Sequence, residues 1–318
     1  MLRAAVVGAG RMGANHIRVA RGLDGVELVA IVDPNGVDPD RAPGVPVVSA
    51  VEYLADVDYV VVASPTGTHE AVATHLVDRG IHVLIEKPLA ATSAGAQRIR
   101  AAAERNGVVA GVGHIERFNP ALREARRRIQ AGELGRVFQV ATERLSQRPA
   151  RITDVGVGMD LMSHDVDLAA WLCSSTYASI DAQVRCLPGS ASEDLIAAVG
   201  VLEDGTVVNH LVNWVSPFKR RAVVITGERG AFVVDTLRED LALHSNADDE
   251  HVWERLANMH GARVGDVVHF AFPKPEPLVV EHEVFRDAVL GQQGQIVTLA
   301  EGAATVGVVE RVLGSLAT

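Results

Sequence analysis

The sequence predicts an α/β domain on a doubly wound parallel sheet, followed by an α+β domain with a mainly antiparallel open sheet. Three observations carry this. Short apolar runs alternate with helical stretches from Leu2 to about Arg117, the pattern of βα units laid side by side. A glycine-rich turn, Gly8-Ala9-Gly10-Arg11-Met12-Gly13, joins the first strand directly to the first helix. From Ile180 onward, β-rich runs are separated by tight-turn signals such as Asp204-Gly205, as in the hairpins of an antiparallel sheet. A chain of 318 residues suits two domains with a core each. The change of pattern divides it into residues 1–118 and 119–318.

Ala4-Ala5-Val6-Val7 has the length and Val content of a buried parallel strand. In the turn that follows, Gly8 allows the tight bend, Gly10 lets a pyrophosphate approach the backbone and Gly13 lets helix and strand pack closely. The helix from Ala14 to Arg21 would present free N–H groups and its positive dipole end to phosphates. A second strand, Glu27–Val32, ends in Asp33, twenty residues beyond Gly13. A carboxylate there accepts hydrogen bonds from both ribose hydroxyls and repels a 2′-phosphate. No Arg follows Asp33 directly, so the expected cofactor is NAD rather than NADP. A glycine-rich turn of another α/β protein is the plain alternative; strand, loop, helix and acid in this order favour a Rossmann dinucleotide site. Asp58–Ala63, His82–Ile85 and Val108–Val112 read as further strands, with helices at His69–Arg79 and Thr92–Asn106.

In the second part, Asn119-Pro120 starts a helix that runs to about Ala131, since Asn caps and Pro fits the first turn. Its Arg126-Arg127-Arg128 cluster reads as a solvated face. Val137–Glu143 is a strand and Asp160–Leu172 a helix. Leu195–Leu202 and Thr206–Asn213 flank one hairpin turn; Arg221–Thr226 and Ala231–Asp235 flank another. His244–His260 reads as an exposed excursion, and Pro273, Pro275 and Pro277 as a linker. Helices at Glu281–Leu290 and Leu299–Leu316 close the chain. Thr298 and Glu301 have capping-box spacing.

With 48% apolar and 22% charged residues, the chain is an ordinary globular protein. It shows no apolar run of membrane length, and its first strand leaves no room for a signal peptide. A cytoplasmic location without membrane partners is expected. Cys173 and Cys186 form neither a metal-ligand pattern nor a disulfide framework, and no metal is expected. A net charge of −10 argues against general nucleic-acid binding.

Three further stretches can carry chemistry. Ser64-Pro65-Thr66-Gly67-Thr68-His69 follows a strand, at the sheet end where ligands of open α/β sheets sit; a Pro-Gly turn into a helix is the other reading. Glu86-Lys87-Pro88 ends another strand. A lysine there can bind a substrate hydroxyl and stabilise the alkoxide as hydride leaves, although an ordinary surface Glu–Lys pair reads the same way. In Asp160-Leu-Met-Ser-His164-Asp165-Val166-Asp167, Asp160 and His164 stand four residues apart on a helix and share a face. A histidine can take the hydroxyl proton, and a carboxylate beside it can orient it. Asp165 reads best as an acid placed for the helix dipole.

On these motifs the chain resembles the glucose–fructose oxidoreductase, inositol dehydrogenase and rhizopine-catabolism (Gfo/Idh/MocA) family over nearly its whole length. The glycine turn carries His16 three residues on; Ser64-Pro65-Thr66 with His69 resembles the family's second cofactor loop, and Ile225–Ala231 a recurrent hairpin. Glu86-Lys87-Pro88 matches its E-K-P motif, and Asp160 with His164 its D-x-x-x-H. The resemblance implies Lys87, His164 and Asp160 as catalytic. It implies Gly8, Gly10, Arg11, Met12, Gly13, Asp33, Ser64, Pro65, Thr66, His69, Glu86 and Lys87 at the cofactor, and Lys87, Asn119, Arg148, Arg151, Asp160 and His164 at the substrate. An antiparallel sheet with helices on one face leaves the other needing cover, with Val199, Val201, Val208 and Leu211 as candidates; a homodimer or homotetramer joined through the second sheet is expected, as the resemblance also implies. Met162 stands where the family often has Gly, which would narrow the substrate space.

A narrower resemblance, to the nucleotide-sugar 3-dehydrogenases including those acting on UDP-N-acetylglucosamine, rests on Gly113–Pro120 and Arg151–Val157. It would let Arg144, Arg148 and Arg151 receive a diphosphate. The expected function is an NAD-dependent dehydrogenase acting on a secondary alcohol of a sugar, at C3 of a nucleotide sugar. The alternatives are a free-sugar or inositol dehydrogenase and a non-catalytic NAD-binding regulator of the same fold.

Overall fold

A computed structural model describes residues 1–38, 40, 42–149, 155–246, 265–292 and 294–314. The chain forms two compact units. The first comprises Met1–Phe118, Ile152–Ser163 and Pro275–Arg311, and the second Asn119–Arg151, His164–Lys274 and Val312–Thr318. The first unit's opening segment ends at Phe118. Two later segments that the linear division gives to the second domain belong to the first unit.

The first unit holds β1 (Leu2–Val7), α1 (Arg11–Gly22), β2 (Val26–Val32), β3 (Val47–Val48) and β4 (Tyr59–Val62). After these come α2 (His69–Asp78), β5 (His82–Glu86), α3 (Ser93–Asn106) and β6 (Ala110–Gly113). All six strands run parallel in the order β3-β2-β1-β4-β5-β6. The order reverses between β1 and β4, so a crevice opens at their carboxyl ends, where such sheets bind ligands. Apolar runs such as Tyr59–Val62 are buried throughout, as parallel strands covered on both faces must be. Thr92 caps α3 by accepting the Gly95 N–H, and Gly107 ends it at φ +61°, the left-handed stop that Asn106-Gly107 signals.

The late segment completes this unit. Phe285 packs edge-on against Tyr59 with ring centroids 5.5 Å apart. The Val112 N–H donates to the Val297 carbonyl at 2.9 Å, and Gly111 bridges to Thr298. The free edge of β6 is thereby covered, as an open edge requires.

The second unit holds α4 (Pro120–Gln130), β7 (Val137–Gln147), α5 (Ser163–Cys173, from His164 onward), β8 (Tyr177–Arg185) and β9 (Leu195–Leu202), while the π-helical turn Gly158–Met162 belongs to the first unit. It continues with β10 (Val207–Asn213), β11 (Val215–Gly227), β12 (Gly230–Asp235), β13 (Asp240–Ser245) and β14 (Val267–His269). Their order is β14-β13-β12-β11-β7-β10-β9-β8. Every pairing is antiparallel except β7 with β10. One face packs on α4 and α5 through Leu122, Val140, Leu168, Val208, Val223 and Phe232. On the other face Val199, Val201 and Val207 are 58%, 36% and 40% exposed. Val208, expected as a candidate for the open face, lies in the core.

Helices α6 (Pro277–Val289) and α7 (Leu299–Gly314) close the described chain. Pro277 opens α6 instead of belonging to a linker, as suits a residue lacking an N–H. The capping box of α7 forms: Thr298 Oγ1 accepts the Glu301 N–H, and the Glu301 carboxylate accepts the Thr298 N–H. His244 lies in β13 opposite Val267 rather than in an excursion; residues 247–264 and Leu316 lie outside the described residues. The arginines of α4 are not one solvated face. Arg126 stacks 4.4 Å over Trp171 and Arg128 3.4 Å over Phe270, while Arg127 is exposed.

Candidate active site

The first unit assembles a dinucleotide cradle from β1 and α1. Gly8 has φ +88°, and a Cβ there would meet the Ala63 carbonyl oxygen at 2.7 Å. A Cβ on Gly13 would collide with the Gly8 carbonyl oxygen. Gly10 instead faces open space, with nothing within 4 Å of a Cβ. Each glycine thus does what its place demands: bend, close packing, and a clear approach to the N-terminus of α1. Arg11 is exposed and Met12 half-buried at the start of α1. Asp33 follows β2, half-buried; its Oδ2 accepts the Ala9 N–H at 2.8 Å and its Oδ1 the Asn35 N–H at 2.9 Å. These residues fit a dinucleotide whose pyrophosphate rests on the α1 terminus and whose ribose meets Asp33.

The loop after β4 lies across the crevice from the glycine turn. Ser64 Oγ stands 2.7 Å from Thr68 Oγ1, whose hydroxyl donates to the Pro65 carbonyl. Pro65 is exposed and Thr66 buried. His69 is also buried, with Nε2 2.9 Å from the Ser64 carbonyl and Nδ1 3.0 Å from the Pro88 carbonyl. Burial pushes its pKa down, so a neutral ring donates to one carbonyl at a time. His69 therefore braces the two loops rather than facing a ligand.

Lys87 stands just beyond β5, its peptide bond to Pro88 cis. Its ammonium donates to the Asp160 backbone carbonyl at 2.9 Å and to Asp160 Oδ1 at 3.0 Å. Both side chains keep a small exposed fraction, 14% and 18%. Such a pair sets the ammonium in place while leaving it a donor for an incoming oxygen. The partners are 73 residues apart in sequence. Glu86 is buried, its carboxylate accepting from His16 Nε2 at 2.8 Å and from the Lys87 backbone N–H at 3.1 Å. Met162 is fully buried and so narrows no substrate space.

In the second unit His164 begins the α5 portion and is half-buried. Behind it Arg144 Nε donates to Asp165 Oδ1 at 2.9 Å, both residues buried. Arg144 is thus committed to holding α5 against β7 and is not available to a diphosphate, while Asp165 does more than answer the helix dipole. Asn119 is likewise spent. Its side chain caps α4 through the Ala121 N–H and donates to the Thr236 carbonyl at 3.1 Å, 5% exposed, so it does not fit a substrate role. Arg148 donates to Asp194 and to the hydroxyls of Ser190 and Ser192, yet keeps 34% of its side chain exposed. Arg151 lies outside the described residues. The sequence reading missed His282, which meets His16 in the first unit with nitrogens 2.8 Å apart; no motif marks it. Among the described residues no helix is long and apolar enough to cross a membrane.

Residues 2–114 match the oxidoreductase family model with an NAD-binding Rossmann fold, and residues 122–233 match the GFO/IDH/MocA C-terminal domain. A UDP-N-acetylglucosamine 3-dehydrogenase of Acidithiobacillus ferrooxidans is 33% identical over 65% of this chain and 66% of its own length, just under two thirds. Its solved structure superposes with a TM-score of 0.83 at 26% identity, covering 98% of this chain and 96% of that one. An inositol 2-dehydrogenase of Corynebacterium glutamicum is 30% identical over 67% of both chains. GenD2 from gentamicin A biosynthesis, solved with NAD, gives a TM-score of 0.81 at 25% identity, over 99% of this chain and 94% of that one.

Proposed function

This chain belongs to the Gfo/Idh/MocA oxidoreductase family, and from that premise we propose that it is an NAD-dependent dehydrogenase acting on a secondary alcohol of a sugar. The substrate is a nucleotide sugar such as UDP-N-acetylglucosamine, oxidised at C3. The observation that carries the reading is the Lys87 ammonium tied to Asp160, in the unit that holds the dinucleotide cradle. NAD, when bound, accepts the hydride. The likeness of Asp160 and His164 to the family's D-x-x-x-H motif makes the His164 imidazole the acceptor of the alcohol O–H proton. Lys87 donates to the alcohol oxygen and disperses its negative charge as the C–H hydrogen leaves with its electron pair. Asp160 orients Lys87, and the product is a ketone.

The nucleotide-sugar assignment draws on the likeness to the Acidithiobacillus enzyme and on Arg148. A free-sugar or inositol dehydrogenase is the second reading. It is favoured by the commitment of Arg144 to Asp165, which removes a cation from any diphosphate site, and by the likeness to the Corynebacterium enzyme.

A panel of UDP-sugars, free sugars and inositols with NAD, followed at the NADH absorbance, tests the reading. UDP-N-acetylglucosamine is expected to turn over fastest; faster oxidation of an inositol transfers the chain to the second reading. With the best substrate, His164→Ala is expected to lower kcat by ~100- to 10,000-fold, the usual worth of a general base, while NAD affinity holds. Normal turnover in both His164→Ala and Lys87→Ala removes these residues from the mechanism, whereas no turnover with any member of the panel favours a regulator.

A further inference from the structure

We propose that His16 and His282 are positioning residues for Lys87: with Glu86 they form a buried chain that keeps the Glu86 carboxylate charged and fixed beside the lysine. The inference rests on the reading of Lys87 as the group that touches the substrate oxygen.

Glu86 ends β5 with its side chain directed into the first unit. Gly113 on β6 makes the room, since a Cβ there would already stand 3.3 Å from the Glu86 carboxyl carbon. Glu86 Oε1 faces His16 Nε2 at 2.8 Å, and Oε2 accepts the Lys87 backbone N–H at 3.1 Å. His16 Nδ1 in turn faces His282 Nε2 at 2.8 Å. His16 and His282 are 0% and 1% exposed. Three elements meet here: α1, which carries the phosphate-binding terminus, β5, which carries Lys87, and α6.

Two facing imidazole nitrogens share one proton. Burial and the neighbouring His16 push the His282 pKa down to about 3, so His282 is neutral. With His282 Nε2 holding that proton, His16 Nδ1 accepts it and the His16 ring carries its own hydrogen on Nε2, which donates to the Glu86 carboxylate. That donor and the Lys87 ammonium outweigh burial and hold the Glu86 carboxyl below the usual carboxylate range. The other ionisable neighbours do not supply that donor. Burial and the Glu86 charge push the pKa of Glu281, beside His282 on α6, well up, and neither of its carboxyl oxygens has a partner. His69 feels the Glu86 charge but is bound to the Ser64 and Pro88 carbonyls. Four ionisable groups in one core are a poor way to gain stability, because apolar replacements often do as well. Their placement directly behind Lys87 gives them a purpose: the charged carboxylate anchors the Lys87 backbone and so aims the side chain that reaches Asp160.

The test compares His16→Leu, His16→Gln and Lys87→Ala. Leucine removes the donor to Glu86; glutamine restores an N–H near the ring Nε2 position. His16→Leu is expected to lower kcat on the order of 10- to 100-fold, since misplacement by an ångström can cost that much, with NAD affinity unchanged within about threefold. Without its donor the buried Glu86 carboxyl holds its proton to higher pH. The ratio of Leu-variant to parent turnover should therefore climb with pH across the neutral range, over and above the rise that the His164 base gives both proteins. His16→Gln should recover most of the turnover and lose the added pH dependence. Equal losses in the Leu and Gln variants with unaltered pH profiles reduce the chain to packing and overturn the proposal. Normal turnover in both, with Lys87→Ala inactive, overturns it while leaving the catalytic reading intact. Normal turnover in Lys87→Ala overturns both. Nitrogen NMR of the imidazoles in the ligand-free protein gives a separate readout: His282 should stay neutral down to about pH 4, and ordinary histidine titration at that site contradicts the chain.

Discussion

Asp33 serves the protein and the ligand with the same two oxygens. Through Ala9 and Asn35 it fixes the glycine turn, and each carboxylate oxygen retains a lone pair for a ribose hydroxyl. Asp33→Ser is expected to weaken NAD by about 10-fold, the low end for a lost charged hydrogen bond, and to relax the preference over NADP. Calorimetric titration with both nucleotides checks it; an unchanged ratio of affinities places the discrimination elsewhere. Residues of this kind were legible in the sequence because each sits in a short pattern with a local cause: a glycine where the chain bends, an acid where a strand ends. What local patterns do not carry is partnership. Lys87 and Asp160 each stood out alone, but their 3.0 Å contact joins segments that only the folded chain brings together. Arg144 misled for the same reason. It looked like one more surface cation, yet it alternates with Val140 and Thr142 on the inward face of β7, and that period-two rhythm was the available signal. Asn119 was read correctly as a cap, and the cap is what occupies it.

Elements with strong end signals follow the sequence closely: the Thr92 and Gly107 ends of α3, and the capping box of α7. Strand neighbours were harder to read. β7 pairs in parallel with β10 across more than sixty residues of sequence, and no turn between them announces it. That pairing sets Thr142 and His210 side by side. His210 Nδ1 faces Thr142 Oγ1 and its Nε2 faces the Tyr177 hydroxyl, both at 2.8 Å, forming a polar tie across the inner face of the sheet. Burial pushes the His210 pKa down to about 3, whereas the unfolded chain binds the proton near 6.5. Below that value the unfolded state takes up a proton that the native state refuses, so stability falls as pH drops from about 6.5 to about 3. Above it the penalty vanishes. Urea unfolding at pH 7 and pH 5 should show this loss, and His210→Gln should shrink it by about 2 kcal/mol, from about 1.4 kcal/mol per pH unit. His282 adds its own slope in the other unit, so the variant keeps part of the dependence. An identical loss in parent and variant assigns the acid sensitivity to other groups.

At the scale of the molecule, the open face of the eight-stranded sheet is the surface that calls for a partner. Val199, Val201 and Val207 lie on neighbouring positions of β9 and β10, and a sheet with helices on one face only leaves such a surface in water. Self-association through this face, as a homodimer or homotetramer, is the expected state. Light scattering at micromolar concentration should report more than one copy, and Val199→Lys should lower the mass toward that of one chain; a monomeric parent protein removes this expectation. The two units also differ in how they are written into the chain. The first is discontinuous, and its late segment supplies Phe285 against Tyr59 and the backbone that covers β6. A single genetic crossover near residue 118 would therefore deliver a nucleotide-binding half stripped of its own cladding. An intact graft has to carry two distant stretches of the gene at once, the opening one and the one that encodes Phe285 and Val297.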